Sequence, residues 1–94
     1  MASIQGALGL CKRAGKCLTG DFACERALKS GNAKLIVLDD QASNATRERY
    51  EFMCKTRDIP FLIVPEAGNA VGKSGCRIIA ILDEGFAKMI KNAQ

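Results

Sequence analysis

The chain has 94 residues, 48% hydrophobic and 26% charged, which suits one globular domain over residues 1–94. It contains no His, which excludes His-activated nucleophiles and His metal ligands. The net charge is +4, and residues 1–34 carry all of it, because residues 35–94 hold eight basic and eight acidic groups. Such a one-sided charge is typical of a surface that attracts polyanions, and equally of an ordinary solvated face.

The first third of the chain predicts a helix, a short strand and a second helix. Ser3 can cap a helix whose inward face has the spacing i, i+3, i+4, i+7, namely Ile4, Ala7, Leu8 and Cys11. Gly15 ends this helix, and residues 17–19 can form a short strand. After the turn at Gly20, Asp21 is the expected N-cap of a second helix that Gly31 ends. The inward face of that helix is Cys24, Ala27 and Leu28.

The rest of the chain predicts three buried strands that alternate with helices. The strands are residues 35–38, 59–64 and 78–82, each an apolar run typical of a strand covered on both faces. Ser43 or Asn44 can cap a third helix, residues 66–71 can form a short one, and Asp83 can cap the last. We expect the inward side chains of the third and last helices to be Thr46, Tyr50, Met53, Cys54 and the Arg57 stem, then Phe86, Met89 and Ile90. The alternation predicts an α/β sandwich with helices on both sides of one sheet.

The five cysteines fit neither a zinc site nor a disulfide framework. No two have C-x-x-C spacing and their number is odd, so we expect buried, reduced thiols. Gln5 interrupts the N-terminal apolar stretch and the first charges follow it, so we expect no signal peptide. Since no apolar run approaches the roughly 20 residues that span a bilayer, we expect a cytoplasmic protein without membrane contact.

Residues 67–74, AGNAVGKS, fit a relaxed phosphate-loop pattern, and residues 78–84 resemble the magnesium-binding strand of nucleotide hydrolases. A phosphate loop opens a helix whose N-terminal amides face the phosphates, but here an apolar strand follows almost at once. We therefore expect neither a nucleotide-binding enzyme nor a cofactor. The carboxylate pairs Asp39-Asp40 and Asp83-Glu84 stand at strand ends, where helix caps and turns explain them better than acid–base chemistry.

The basic residues of the first third become informative when they are placed on these elements. A Gly turn that leads into a helix offers free backbone amides to phosphate, and arginine adds bidentate contacts. Gly20 and Asp21 form that turn, Arg26 and Lys29 are expected on the first turns of the helix after it, and Lys16 precedes the short strand. Phe22 is the only aromatic residue near the turn, which favours recognition of folded RNA by shape and backbone over base stacking.

Three segments make the chain resemble the kink-turn-binding ribosomal proteins of the L7Ae and L30e type, and most of all their small bacterial branch. They are LCKRAGKCLTG at residues 10–20, AKLIVLDDQASNATR at 33–47 and GNAVGK at 68–73. The resemblance implies a three-layer α-β-α sandwich around a mixed four-stranded sheet. It also implies binding to a sharply bent RNA stem with tandem G·A pairs, in the ribosome or another structured non-coding RNA. Separately, we expect a monomer without a metal.

The resemblance places RNA contacts at the start of the second helix and in the loop after the short helix. Gly20 matches the first segment and Arg26 replaces its Lys, but Phe22 and Ala23 stand where the family has Asn and Glu. The loop is matched by Gly72, Lys73, Ser74 and Gly75, with Ser74 in place of a Glu. Because Phe and Ala cannot read base edges, two hypotheses stay open: RNA binding with weak kink-turn specificity, and a protein-interaction module that has lost RNA binding.

Overall fold

The computed structural model describes residues 3–94, which form five helices and four strands. In chain order these are α1 (Ile4–Arg13), β1 (Cys17–Thr19), α2 (Asp21–Lys29), β2 (Leu35–Asp39), α3 (Asn44–Arg57), β3 (Phe61–Val64), α4 (Ala67–Ala70), β4 (Ile78–Ile81) and α5 (Glu84–Asn92). The sheet has the order β1-β4-β2-β3, and β2 pairs in parallel with β3 and antiparallel with β4. The expected α/β class and mixed four-stranded sheet are confirmed.

The central strand β2 shows why helices cover both faces. All five of its residues are buried, and successive side chains point to opposite sides of the sheet. Leu35 and Val37 pack with α1, α4 and α5, whereas Ile36 and Leu38 pack with α2 and α3. The two faces therefore carry separate hydrophobic cores, which makes the expected three layers.

The helix caps at Ser3, Ser43 and Asp83 follow the sequence prediction. Each side-chain oxygen accepts a hydrogen bond from the backbone N–H three residues later. Asp21 was expected to cap α2, but Gly20 holds that position and Asp21 is the first helical residue. The Tyr50 hydroxyl donates to Asp21 Oδ1 over 2.7 Å and the Arg49 guanidinium donates to Asp21 Oδ2 over 2.6 Å, so this carboxylate ties α2 to α3.

Three expectations about burial are wrong. β3 is an edge strand shorter than predicted, and Ile63 on it is 40% exposed, because a helix covers an edge strand less completely than a central one. Met89 is 41% exposed and Ala87 is buried in its place, so the inward face of α5 is rotated from the predicted one. Arg57 is exposed at the end of α3.

All five cysteines are free thiols, and four of them are buried, namely Cys11, Cys17, Cys24 and Cys54, while Cys76 is partly buried. Burial raises the pKa of Cys24 to about 12, so this thiol stays neutral and packs as a small apolar group. Within residues 3–94, no helix is long and apolar enough to cross a membrane.

Candidate nucleic-acid interface

The two segments that the sequence singled out lie together at one end of the sheet. β1 and β4 are antiparallel, with Thr19 opposite Ile79, so the end of β1 lies beside the start of β4. The Gly20 N–H donates to the Ile78 carbonyl oxygen over 3.1 Å. The start of α2 and the 72–77 loop that leads into β4 are therefore neighbours.

Gly20 makes the turn into α2 possible. Its φ of +95° lies in the region that glycine adopts without strain, and it provides no capping side chain. The first amides of a helix have no partner inside the helix. Those of α2 therefore point out of the sheet end without a side-chain cap from Gly20, which suits a phosphate oxygen.

Two acidic residues lie in the first two turns of α2, and Arg49 of α3 forms an ion pair with each. Its guanidinium lies 2.6 Å from Asp21 Oδ2 and 2.7 Å from Glu25 Oε1. The hydrogen bonds from Arg49 and Tyr50 lower the pKa of Asp21. Asp21 thus faces α3, and its charge is compensated where phosphate would approach.

Phe22 and Arg26 form the outer surface of the first two turns of α2. The Phe22 side chain is 76% exposed, and the Arg26 guanidinium carbon lies 5.6 Å from the centroid of its ring. This distance is within the range of a cation–π contact. The pair presents an aromatic face next to a positive charge, a combination suited to a nucleobase and its phosphate.

The 72–75 loop is built on Gly68. The Lys73 N–H donates to the Gly68 carbonyl oxygen over 2.9 Å, and the loop folds back so closely that a Cβ on Gly68 would lie 2.8 Å from the Lys73 carbonyl oxygen and closer still to that of Cys76. Gly72 makes the turn with a φ of +75°. As a result Lys73 and Ser74 are exposed, and Lys73 has no ion pair among residues 3–94.

The phosphate-loop pattern has no phosphate-loop geometry. α4 has only four residues and precedes Lys73, and the chain then enters β4 at Ile78 without another helix. The cradle of amides at a long helix N-terminus, on which nucleotide hydrolases depend, is therefore not formed by this segment.

Two of the lysines that the sequence singled out lie away from this end. Lys29 is the last residue of α2, not on its first turns as expected, and its ammonium lies 3.2 Å from Glu25 Oε2. The Lys16 carbonyl accepts from the Leu82 N–H, so Lys16 lies at the far end of β4. These two lysines enlarge the positive surface but do not adjoin Gly20.

Sequence reasoning missed two arginines at the same end of the sheet. Arg47 lies on the first turn of α3, and its Nε is buried without a hydrogen-bond partner among residues 3–94. Arg77 precedes β4, and its guanidinium donates to the Ser74 carbonyl oxygen over 3.3 Å. Arg77 could have been found from its position two residues after the predicted 72–75 loop, whereas Arg47 is distant in sequence from both segments and reaches this end only through the fold.

Comparison with known proteins gives one consistent result. The model of the ribosomal protein L7Ae/L30e/S12e/Gadd45 family matches residues 2–91. RNA-binding protein YlxQ of Bacillus subtilis is 29% identical over 86 residues, which cover 88% of this chain and 86% of that protein. The large ribosomal subunit protein eL30 of Aeropyrum pernix is 27% identical over 74 residues, covering 73% of this chain and 74% of the relative. The solved structure of a protein of unknown function from Bacillus halodurans superimposes on this chain with a TM-score of 0.91 and 28% sequence identity. The superposition covers 99% of this chain and 97% of that protein's chain.

Proposed function

Since the chain belongs to the ribosomal protein L7Ae/L30e/S12e/Gadd45 family, we propose that it is a single-domain, cytoplasmic protein that binds structured RNA and has no enzymatic activity. The main support for the proposal is that two predicted RNA-contact segments lie side by side. The uncapped start of α2 and the exposed 72–75 loop meet at one end of the sheet, where Gly20 is bonded to Ile78. Relatives that are similar in sequence over most of the chain include an RNA-binding protein and a large ribosomal subunit protein.

Each part of this surface has a role that follows from its chemistry. The first amides of α2 and the backbone of residues 72–75 bind phosphate oxygens of a bent stem. Arg26 and Lys73 supply the positive charge, and the Asp21–Arg49 pair keeps a carboxylate from opposing it. The partner is a kink-turn-like RNA of the ribosome or another non-coding RNA, bound by a monomer.

The same surface predicts weak sequence specificity. Phe22 and Ala23 have no donor or acceptor for the edge of a G·A pair, so backbone contacts and shape dominate the binding energy. We therefore expect the protein to prefer a kink-turn over a plain duplex by less than about 100-fold. A measured preference above that value would contradict this part of the proposal.

The direct experiment is a titration of a labelled kink-turn RNA, followed by fluorescence anisotropy at several salt concentrations. A matched stem, with its G·A pairs changed to Watson–Crick pairs, measures the shape preference. Arg26→Ala and Lys73→Ala should weaken binding to both RNAs and flatten the slope of log K against log salt by about 0.9 for each phosphate that the variant no longer neutralises. Lys88→Ala, which removes an exposed charge from α5, is the matched control and should change neither.

If wild-type protein binds neither RNA at low salt, RNA binding is refuted. The second candidate, a protein-interaction module, would then be favoured, because a 76% exposed Phe22 is also an anchor for a protein partner.

A further inference from the structure

A groove runs along the outer side of α2 and extends beyond the surface described above. Its volume is about 570 Å³, within the range of small-ligand pockets. It begins at Phe22 and Arg26, passes between α2 and the free edge of β1 at Leu18, and ends at Ser30, Asn32 and Lys34. The groove thus connects the start of α2 with the opposite end of the sheet.

The entrance and floor of the groove suit the flat face of a nucleobase. The Phe22 ring at the entrance is 76% exposed, and the Arg26 guanidinium lies 5.6 Å from its centroid. The floor is apolar, because Leu18, Ala27 and Leu82 line it. Bases of single-stranded RNA stack on such aromatic and guanidinium surfaces whatever their sequence.

The far end of the groove offers polar groups. Asn32 Nδ2 donates to Ser30 Oγ over 3.0 Å, and Ser30 Oγ donates to the Ala27 carbonyl oxygen over 3.2 Å. This arrangement orients the Asn32 amide and leaves its oxygen without a donor among residues 3–94. Lys34, beside it, has no ion pair among the same residues. An amide can bond to a base edge, and an ammonium can bind a phosphate.

The positive charge of the groove favours an anionic ligand. Arg26 and Lys34 line the groove, and none of the residues that line it is acidic. We propose that this groove binds an unpaired nucleotide that flanks the RNA stem held at the start of α2. The inference rests on the proposed RNA binding and adds a single-stranded element to the RNA that the protein recognises.

The test compares the kink-turn hairpin with the same hairpin extended by three unpaired uridines at either its 5′ or its 3′ end, measured by fluorescence anisotropy at one salt concentration. One of the extended hairpins should bind more tightly than the blunt one. An extension with abasic sites in place of the bases should lose most of the added affinity, because stacking requires the base.

Phe22→Ala should remove the added affinity, which corresponds to about 5- to 150-fold for one stacked base. Phe52→Ala is the matched control, since Phe52 lies on α3 with 68% exposure and is outside the groove. In a further titration at several salt concentrations, Lys34→Ala should lower the slope of log K against log salt for the extended hairpin only.

The outcomes separate the groove from the RNA-binding surface. Equal affinity for blunt and extended hairpins, or equal effects of Phe22→Ala and Phe52→Ala, overturns the nucleotide groove and leaves stem binding intact. Absence of binding to every hairpin overturns both.

Discussion

The Asp39 carboxylate accepts a hydrogen bond from the Gly68 N–H over 3.0 Å and so joins the end of β2 to α4. Its other oxygen accepts from the Gln41 N–H over 2.8 Å. Asp39 is only 4% exposed, and burial by itself would raise its pKa, but these two backbone donors and the neighbouring Asp40 side chain outweigh burial and lower it. A charged group in the core thereby holds the segment on which the 72–75 loop is built.

Replacing Asp39 by Asn should destabilise the protein by about 1–3 kcal/mol, because the amide keeps one acceptor oxygen and leaves one buried backbone N–H without a partner. The free energy of unfolding in urea at pH 7 measures this. Asp40→Asn, an exposed change next to it, should cost less than about 0.5 kcal/mol. Equal costs for the two variants would show that the bond to Gly68 contributes nothing to stability.

The pH dependence of stability should identify the same carboxylate. Because the pKa of Asp39 is lower in the folded than in the unfolded chain, its contribution is complete above the unfolded value of about 3.9 and is lost as the pH falls through the folded value. Wild-type protein should therefore lose stability below about pH 4 more steeply than Asp39→Asn does. Parallel urea midpoints for the two proteins from pH 5 to pH 2 would contradict the lowered pKa.

Gly68→Ala should displace the 72–75 loop. The new Cβ would lie 2.8 Å from the Lys73 carbonyl oxygen and closer to that of Cys76, and both are backbone atoms that can yield only if the loop moves. We expect a loss of about 1–3 kcal/mol of stability together with weaker RNA binding. Gly75→Ala is the control, since a Cβ there meets nothing within 4 Å. Its thermal midpoint should match that of the natural protein.

Arg49→Ala should weaken RNA binding, although in the proposed complex Arg49 does not contact RNA and only compensates the acidic residues of α2. Without it, the negative charge of Asp21 stays uncompensated beside the phosphate-binding amides, and Glu25 keeps only its ion pair with Lys29. The stability cost should stay below about 1 kcal/mol, because these pairs are partly exposed. Adding Asp21→Asn to Arg49→Ala should restore part of the affinity. Failure of that rescue in an anisotropy titration would mean that Arg49 itself contacts RNA.

The sequence predicted the elements of this fold well because their signals are local. The unbroken apolar runs predicted at residues 35–38 and 78–82 correspond to the fully buried strands Leu35–Asp39 and Ile78–Ile81. The same kind of run at residues 59–64 gave an edge strand, because apolar composition does not state a strand's position in the sheet. The inward face of α5 was predicted with the wrong rotation, because Ala87 and Met89 both fit an apolar stripe of helical period.

The site was harder to predict, because its geometry depends on contacts far apart in sequence. Asp21 stands where a helix cap is expected, and only Arg49 and Tyr50, 28 and 29 positions away, draw its carboxylate to α3. Lys16 is four residues from Gly20 in sequence, yet β1 separates them to opposite ends of the sheet. The groove beside α2 combines three segments, so no local pattern could indicate it.

Specificity for the kink-turn should be gained by the double change Phe22→Asn with Ala23→Glu. The new Asn and Glu side chains supply polar groups at the first turn of α2, where the edge of a G·A pair would lie in the proposed complex. A good bidentate base contact contributes about 1–3 kcal/mol of discrimination, the value measured for DNA. The ratio of Kd values for the kink-turn RNA and its Watson–Crick control should therefore shift by about 5- to 150-fold toward the kink-turn. The same variant lacks the Phe22 ring, so it should also lack any added affinity for a hairpin with an unpaired extension. An unchanged ratio would mean that the first turn of α2 does not face the G·A pairs, and that the stem lies against another face of the protein.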